Sequence, residues 1–337
     1  MQSKKEEKDM RTIRIGSGAG FSNDRVEPGI ELLEKGALDY FCLECLAERT
    51  IAIAQKEKTS NPDIGYNPYL AYRMKRILPV AAKNKTKVIT NMGGANVEKA
   101  VAKTAEIARS LGITGLKIVG VLGDDIFHRL DRYDDYPIFE TGERLGDLKN
   151  KVAANAYLGC KGIVQALKDG ADIVITGRCS DPALFLGPLV YEFGWSMDDY
   201  DKMGKGTVVG HLLECSGQVS GGNFCVPGYK DVEDLCHLGF PYADVSEDGT
   251  IFISKLEGTG GRVDIQTCSE QLLYEIHDPA SYITPDCVAD FSNVSFVQVG
   301  KNRVQVLGAT GREKTATLKV SVGYKDGYIG SCGLSFG

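Results

Sequence analysis

Five times in this chain an apolar, β-branched run stops in a small polar turn, and four of those turns carry glycine. Ile13-Arg14-Ile15 leads into Gly16-Ser17-Gly18-Ala19-Gly20, and Val88-Ile89-Thr90 into Asn91-Met92-Gly93-Gly94-Ala95-Asn96. Ile118-Val119-Gly120-Val121-Leu122 leads into Gly123-Asp124-Asp125, and Ile173-Val174-Ile175 into Thr176-Gly177-Arg178-Cys179-Ser180-Asp181. A looser case, Asp39-Tyr40-Phe41-Cys42-Leu43, runs into Glu44. Buried parallel strands read as unbroken apolar runs, and open α/β sheets bind ligands beyond the carboxyl ends of their strands. If these five strands are parallel, their turns share one rim and line one cleft.

The spaces between the runs carry helical signals. A helix is expected from near Pro28, others over 46–57 and 69–83, and one over 95–111 with Val97, Val101, Ala105, Ala108 and Leu111 at helical spacing. Residues 131–149 read as a polar, irregular excursion, and a helix over 150–168 feeds the strand at 171–176. Pro182 suits the first turn of a helix running to Phe193, with Asp181 as its cap. Strand and helix in alternation imply a parallel, Rossmann-like sheet flanked by helices. After residue 200 the pattern changes. One helix is expected at 203–215 and another at 262–276, with short strands at 250–254, 294–299, 303–308 and 316–323. The expected division is a tail at 1–11, an α/β domain at 12–200 and a smaller α+β domain at 201–337 that closes the cleft.

The net charge of −6 gives no support to nucleic acid or an anionic membrane as partner. No apolar stretch nears the roughly 20 residues that span a bilayer. The first nine residues lack an apolar core and read as a solvated tail rather than a signal peptide. The ten cysteines are scattered, only Cys42 and Cys45 make a C-x-x-C pair, and the four histidines are far apart in sequence. That spacing suits neither a zinc site nor a disulfide framework, so no metal is expected and the thiols read as reduced in a cytoplasm.

Each glycine turn has a chemical reading and a plainer one. Ser17 and Gly18 lie in a turn whose amides could hold a phosphate or carboxylate; the spacing misses the dinucleotide fingerprint, because position 21 is Phe. Asn91, Gly93, Gly94 and Asn96 combine amide side chains with close backbone approach, although Asn96 also suits a helix cap. Arg178, Cys179 and Asp181 put a guanidinium, a thiol and a carboxylate in one strand-to-helix turn. Arginine suits carboxylate or phosphate, a thiol near a helix N-terminus would ionise more easily, and Asp181 could do no more than cap. Glu214 is a candidate general base, followed by Ser216 and by Gly221, Gly222 and Asn223 as oxyanion donors; a helix end and turn is the equal alternative. Asp124 and Asp125 with His128 could hold Mg²⁺ or serve as acid and base, since paired carboxylates split their pKa values; a capped helix start is the equal alternative. Glu257-Gly258-Thr259-Gly260-Gly261-Arg262 repeats acid, glycine and arginine before a helix, making Arg262 a second anion holder if it faces the same cleft. Patterns for P-loop, zinc-protease, α/β-hydrolase and EF-hand chemistry do not occur.

The segments at 13–24, 91–96, 175–184 and 257–263, together with Glu214-Cys215-Ser216-Gly217-Gln218-Val219-Ser220-Gly221-Gly222-Asn223 and Val322-Gly323-Tyr324-Lys325-Asp326-Gly327-Tyr328-Ile329-Gly330, resemble the acyclic terpene utilisation family called AtuA. The likeness covers nearly the whole chain after the tail. It implies cytoplasmic breakdown of branched acids such as citronellate and geranylate through CoA thioesters, in the pathway context of biotin-dependent acyl-CoA carboxylases. It carries over no catalytic residue. Family chains continue beyond a segment like 330–333, so the resemblance also suggests a short member or half of a split pair.

The expectation is an enzyme with lyase or hydratase chemistry on a small or branched carboxylic acid or its CoA thioester. Glu214, Asp181 or Asp124 would move the proton. No cofactor is expected beyond CoA as part of the substrate. The partners expected are a small anionic metabolite and further copies of the chain, with a second small subunit as an addition. The alternative is a non-catalytic subunit that binds a metabolite or a carboxylase.

Overall fold

The computed structural model describes residues 10–328 and 330–333. The expected tail at 1–11 lies almost wholly outside them. In chain order the elements of the first half are β1 (Thr12–Ala19), α1 (Glu27–Lys35), β2 (Tyr40–Leu43), α2 (Glu48–Ser60), α3 (Leu70–Asn84), β3 (Lys87–Thr90) and α4 (Val97–Ser110). Next come β4 (Ile118–Val121), β5 (Lys151–Ala156), α5 (Lys161–Lys168), β6 (Ile173–Thr176), α6 (Ala183–Phe193) and α7 (Tyr200–Leu213). The remainder is β7 (Pro241–Ser246), β8 (Ile251–Lys255), α8 (Ile265–Leu273), β9 (Tyr282–Ile283), β10 (Val288–Asp290), β11 (Ser295–Gly300), β12 (Arg303–Leu307), β13 (Thr310–Arg312) and β14 (Val320–Tyr324).

One nine-stranded sheet organises the molecule, in the order β11-β12-β8-β7-β1-β2-β3-β6-β4. The five strands from β1 to β4 run parallel, as the apolar runs imply. The other four are antiparallel to their neighbours, and β7 joins the halves by pairing with β1. The sheet therefore crosses residue 200, where the sequence pattern suggested a domain boundary. Helices cover both faces. On one side α5, α6 and α7 build a core with Ile13, Ile15, Cys42 and Val174; on the other, residues of α1, α3 and α4 pack on Phe41, Val88 and Ile175. Burial of β2, β3 and β6 on both faces explains why these central strands carry no polar alternation.

β5 and β7 depart from the sequence expectation, as do the short strands β9, β10 and β13. The helix expected over 150–168 is a strand, β5, followed by a shorter helix, because β5 pairs along its length with β14 far away in the chain. Alanine-rich Val152-Ala153-Ala154-Asn155-Ala156 has little strand propensity of its own; a distant partner decides it. β7, unmarked in the sequence, carries a buried aspartate in mid-strand: Asp244 accepts hydrogen bonds from Arg14 Nε at 2.7 Å and Arg303 Nη1 at 2.8 Å.

Candidate site at the strand carboxyl ends

Strand register sets the level of the site. Leu43 stands beside Thr90 and Thr90 beside Ile175, so Glu44, Asn91 and the 176–181 turn leave the sheet together. Glycines let the surrounding segments close in. A Cβ on Gly93 would lie 2.4 Å from the Thr176 carbonyl oxygen, and one on Gly20 would lie 2.5 Å from the Cys215 backbone. A Cβ on Gly210 would lie 2.5 Å from Pro182 Cα, so the end of α7 is pressed against the start of α6. That contact brings Glu214, just past α7, beside the Arg178–Asp181 turn.

Arg178 is fully buried in this rim. Its Nη1 donates to Asp181 Oδ1 at 2.6 Å, to the Leu46 carbonyl at 2.6 Å and to its neighbour's carbonyl at Cys179 at 3.0 Å. The guanidinium lies 4.1 Å above the Tyr157 ring, with Glu48 Oε1 at 3.7 Å from Nη2. Tyr157 donates its hydroxyl proton to Glu48, and Lys319 covers the ring 4.7 Å from its centre. Arg178 Nε, also buried, has no partner. Asp124, the candidate acid from the β4 turn, is buried and accepts hydrogen bonds from the Arg178 backbone N–H and from Asn155 Nδ2, both at 2.9 Å. It holds the turn from behind.

Glu44 is the rim residue that the sequence reading passed over as a mere strand end. Its Oε1 accepts from Asn91 Nδ2 at 2.9 Å and from the Leu46 N–H at 2.8 Å, while Asn91 Oδ1 accepts from the Cys45 N–H. Burial, aided by the neighbouring Asp181, raises the Glu44 carboxyl to about 8, against the pull of its two donors and of Arg178. A carboxylate directly after a buried parallel strand was the available signal.

Glu214 is buried as well, and its Oε1 lies 3.1 Å from His211 Nδ1. Oε2 has no partner. Burial is the main cause that holds this carboxyl well above the usual range, with Asp181 and Glu275 adding to it and Arg178 opposing. Burial also lowers His211, to about 4. Ser17, Ser180, Ser216 and Ser220 are buried with hydroxyls that have no partner, and β1 touches the turn that begins at Ser216. A buried hydroxyl without a protein partner takes its hydrogen bond from water or a ligand.

The other candidates are placed differently. Ser17 and Gly18 belong to strand β1 itself, where Gly18 makes room for the Phe41 ring. The Gly20 N–H donates to Asp24 Oδ2, so the chain's own carboxylate sits at that turn. Asn96 does not cap α4 with its side chain; Nδ2 instead donates to the carbonyls of Pro62 and Ile64. The Gly94 N–H donates to the Asn91 carbonyl, and its positive φ of 55° suits a residue without Cβ. Asp181 does not cap α6, because its carboxylate is turned to Arg178. The easier ionisation expected for Cys179 is reversed, since burial pushes the thiol up to about 12. The Gly221 and Gly222 N–H groups close their own loop on Gln218 and Gly217, and Asn223 is exposed. Arg262 bonds Asp264 and Gln266 at the start of α8 and lies over Phe224. The ten cysteines form no disulfide. Among the described residues, no group of three His, Cys, Asp or Glu is placed to hold a metal, and no helix is long and apolar enough to cross a membrane. A cavity of about 520 Å³ lies between α8 and 278–296; no rim residue lines it.

Fold and rim together define an α/β protein whose polar centre sits at the carboxyl ends of its parallel strands. The chain belongs to the acyclic terpene utilisation family: the family model described as "Acyclic terpene utilisation family protein AtuA" matches residues 13–337. No curated protein and no solved structure matches it.

Proposed function

We propose that the chain is an acid–base enzyme, hydratase-like or lyase-like, that acts in the cytoplasm on a small or branched carboxylic acid or its CoA thioester during acyclic terpene breakdown. One observation carries the reading: Glu44 and Glu214, from different elements, are both buried, both held above the ordinary carboxyl range, and both under the field of Asp181 and Arg178. Carboxyls raised toward neutrality can give and take protons at working pH. Glu44 serves as base once ionised, and Glu214 as acid. Asp181 lies between them in charge, and Arg178 restrains the build-up of negative potential. Three acceptors on Arg178 Nη1 fix the turn, while Nε has no partner and Nη2 has Glu48 only at 3.7 Å, so the guanidinium keeps donors for a substrate carboxylate. Family membership supports the pathway, and the rim supports the class of chemistry.

The test is incubation with a panel of branched acyl-CoAs and the free acids, followed by mass. Hydration or its reversal shifts mass by one water. Glu44→Gln and Glu214→Gln should each lower turnover about 100-fold or more while leaving the fold intact. Turnover unaffected by either substitution would end the acid–base assignment.

A second reading, a non-catalytic subunit that binds a carboxylase or further copies of itself, is favoured by edge strand β11. It has one paired side, and Val297 and Val299 are exposed on it. Co-purification with another chain, with every ligand recovered unchanged, would support it.

A further inference from the structure

We infer that His211 is locked in one tautomer and thereby keeps Glu214 protonated at Oε1 in the resting protein, an assignment that deepens the acid–base reading above and rests on it for its catalytic meaning. The argument starts at a backbone carbonyl. His211 Nε2 lies 3.1 Å from the Leu272 carbonyl oxygen, which can only accept, so Nε2 carries the hydrogen. The ring cannot be turned over to escape this, since a flip would set carbon atoms against both oxygens. Tyr282 and Phe291 hold the ring, with centroids at 5.2 and 5.6 Å. The Gln271 side chain ties the same stretch of α8 back to the His211 carbonyl at 3.1 Å.

One proton then remains to be placed, between Nδ1 and Glu214 Oε1 at 3.1 Å. Two arrangements share it: a neutral imidazole accepting from a carboxylic acid, or an imidazolium donating to a carboxylate. The second leaves an ionised carboxylate whose other oxygen, Oε2, is buried and receives no hydrogen bond. It also sets that charge near Asp181 and Glu275, with Arg178 as the opposing cation and Tyr282 and Cys215 as the other titratable groups alongside. A buried ion pair desolvates two charges, and with Oε2 lacking a donor the Coulombic gain does not repay that cost, whereas the neutral hydrogen bond buries no charge. The proton therefore sits on Glu214. In this state Glu214 acts as an acid and not as a base, and His211 is a positioning residue that takes no direct part in the chemistry.

The experiment is ¹⁵N NMR of the whole protein labelled at histidine. There are four histidines, and His128, His237 and His277 are exposed. A His211→Gln spectrum identifies the His211 signals; if that variant does not fold, burial identifies them by their slow response to a paramagnetic relaxant. The expected result at neutral pH is a bare Nδ1 and a protonated Nε2, unchanged down to about pH 4. In Glu214→Gln the amide can donate to Nδ1, so the same tautomer should persist. The wild-type infrared spectrum should also contain a protonated-carboxyl band that this variant lacks. Two protonated ring nitrogens at neutral pH, or a wild-type spectrum without that band, would overturn the inference. Neither readout needs substrate, so a missing turnover counts against the proposed reaction alone.

Discussion

At the scale of single residues, the rim is a set of charges held away from water. Arg178 pairs with the half-buried Asp181 and donates to the Leu46 and Cys179 carbonyls. Arg178→Met should therefore cost about 1–3 kcal/mol in urea unfolding, as leaving buried carbonyls without their donor does, because water reaches part of the Asp181 carboxylate. A cost below about 1 kcal/mol would show that these bonds add little. Glu44 gives a pH signature with the opposite sign to an ordinary paired carboxylate. Its carboxyl ionises near 4.5 in the unfolded chain and near 8 in the folded one. Between those values the unfolded chain has lost a proton that the folded chain keeps, so the Glu44 contribution to stability falls as pH rises from about 4.5 to about 8. The slope is at most about 1.4 kcal/mol per pH unit. Glu44→Gln, which keeps an oxygen for Asn91 and Leu46, should flatten that stretch of the stability curve. An identical slope in both proteins would place the titration elsewhere.

At the scale of elements, the close contacts at glycine decide whether the rim assembles. Gly210 lets α7 meet Pro182, so Gly210→Ala pushes Glu214 away from the 178–182 turn. Overpacking of this kind costs about 1–3 kcal/mol, and the displaced acid should lower turnover as well. Chemical denaturation and an activity assay on one sample separate the two effects; no loss in either would mean that the helix ends slide freely. This also shows what was legible in the sequence. The strand-then-glycine repeat pointed to the parallel strands and to the rim, because burial on both faces leaves an apolar run and a tight exit leaves glycine. It did not show what the glycines were for. Gly18, Gly20 and Gly93 admit Phe41, Cys215 and Thr176, which are contacts between segments far apart in the chain. Glu44 and His211 stayed hidden for the same reason: a lone acid after a strand and a lone histidine in a helix acquire meaning only when Asn91 and Leu272 arrive from elsewhere. β5 and β7 were illegible locally, since β14 and the Arg14–Asp244–Arg303 cluster make them strands.

At the scale of the whole molecule, the change of pattern near residue 200 does not coincide with a break in the main sheet. β7 from the second half extends the parallel strands of the first through β1. One core gathers Ile13, Cys42 and Val174 with Ala243, Ile253 and Val304. If a smaller domain closed over a larger one, few contacts would cross between them and each could melt alone. Here, removing β7, β8 and β12 would expose the edge of β1 and open the core on the α6 side. Heat unfolding should therefore give a single transition in which calorimetric and van't Hoff enthalpies agree. Two resolved transitions, or a proteolytic fragment ending near residue 200 that keeps its helix signal, would support the two-domain division. The rim would then lie on one unit, with Glu214 supplied by the other, and Gly210→Ala should weaken their association rather than the stability of either.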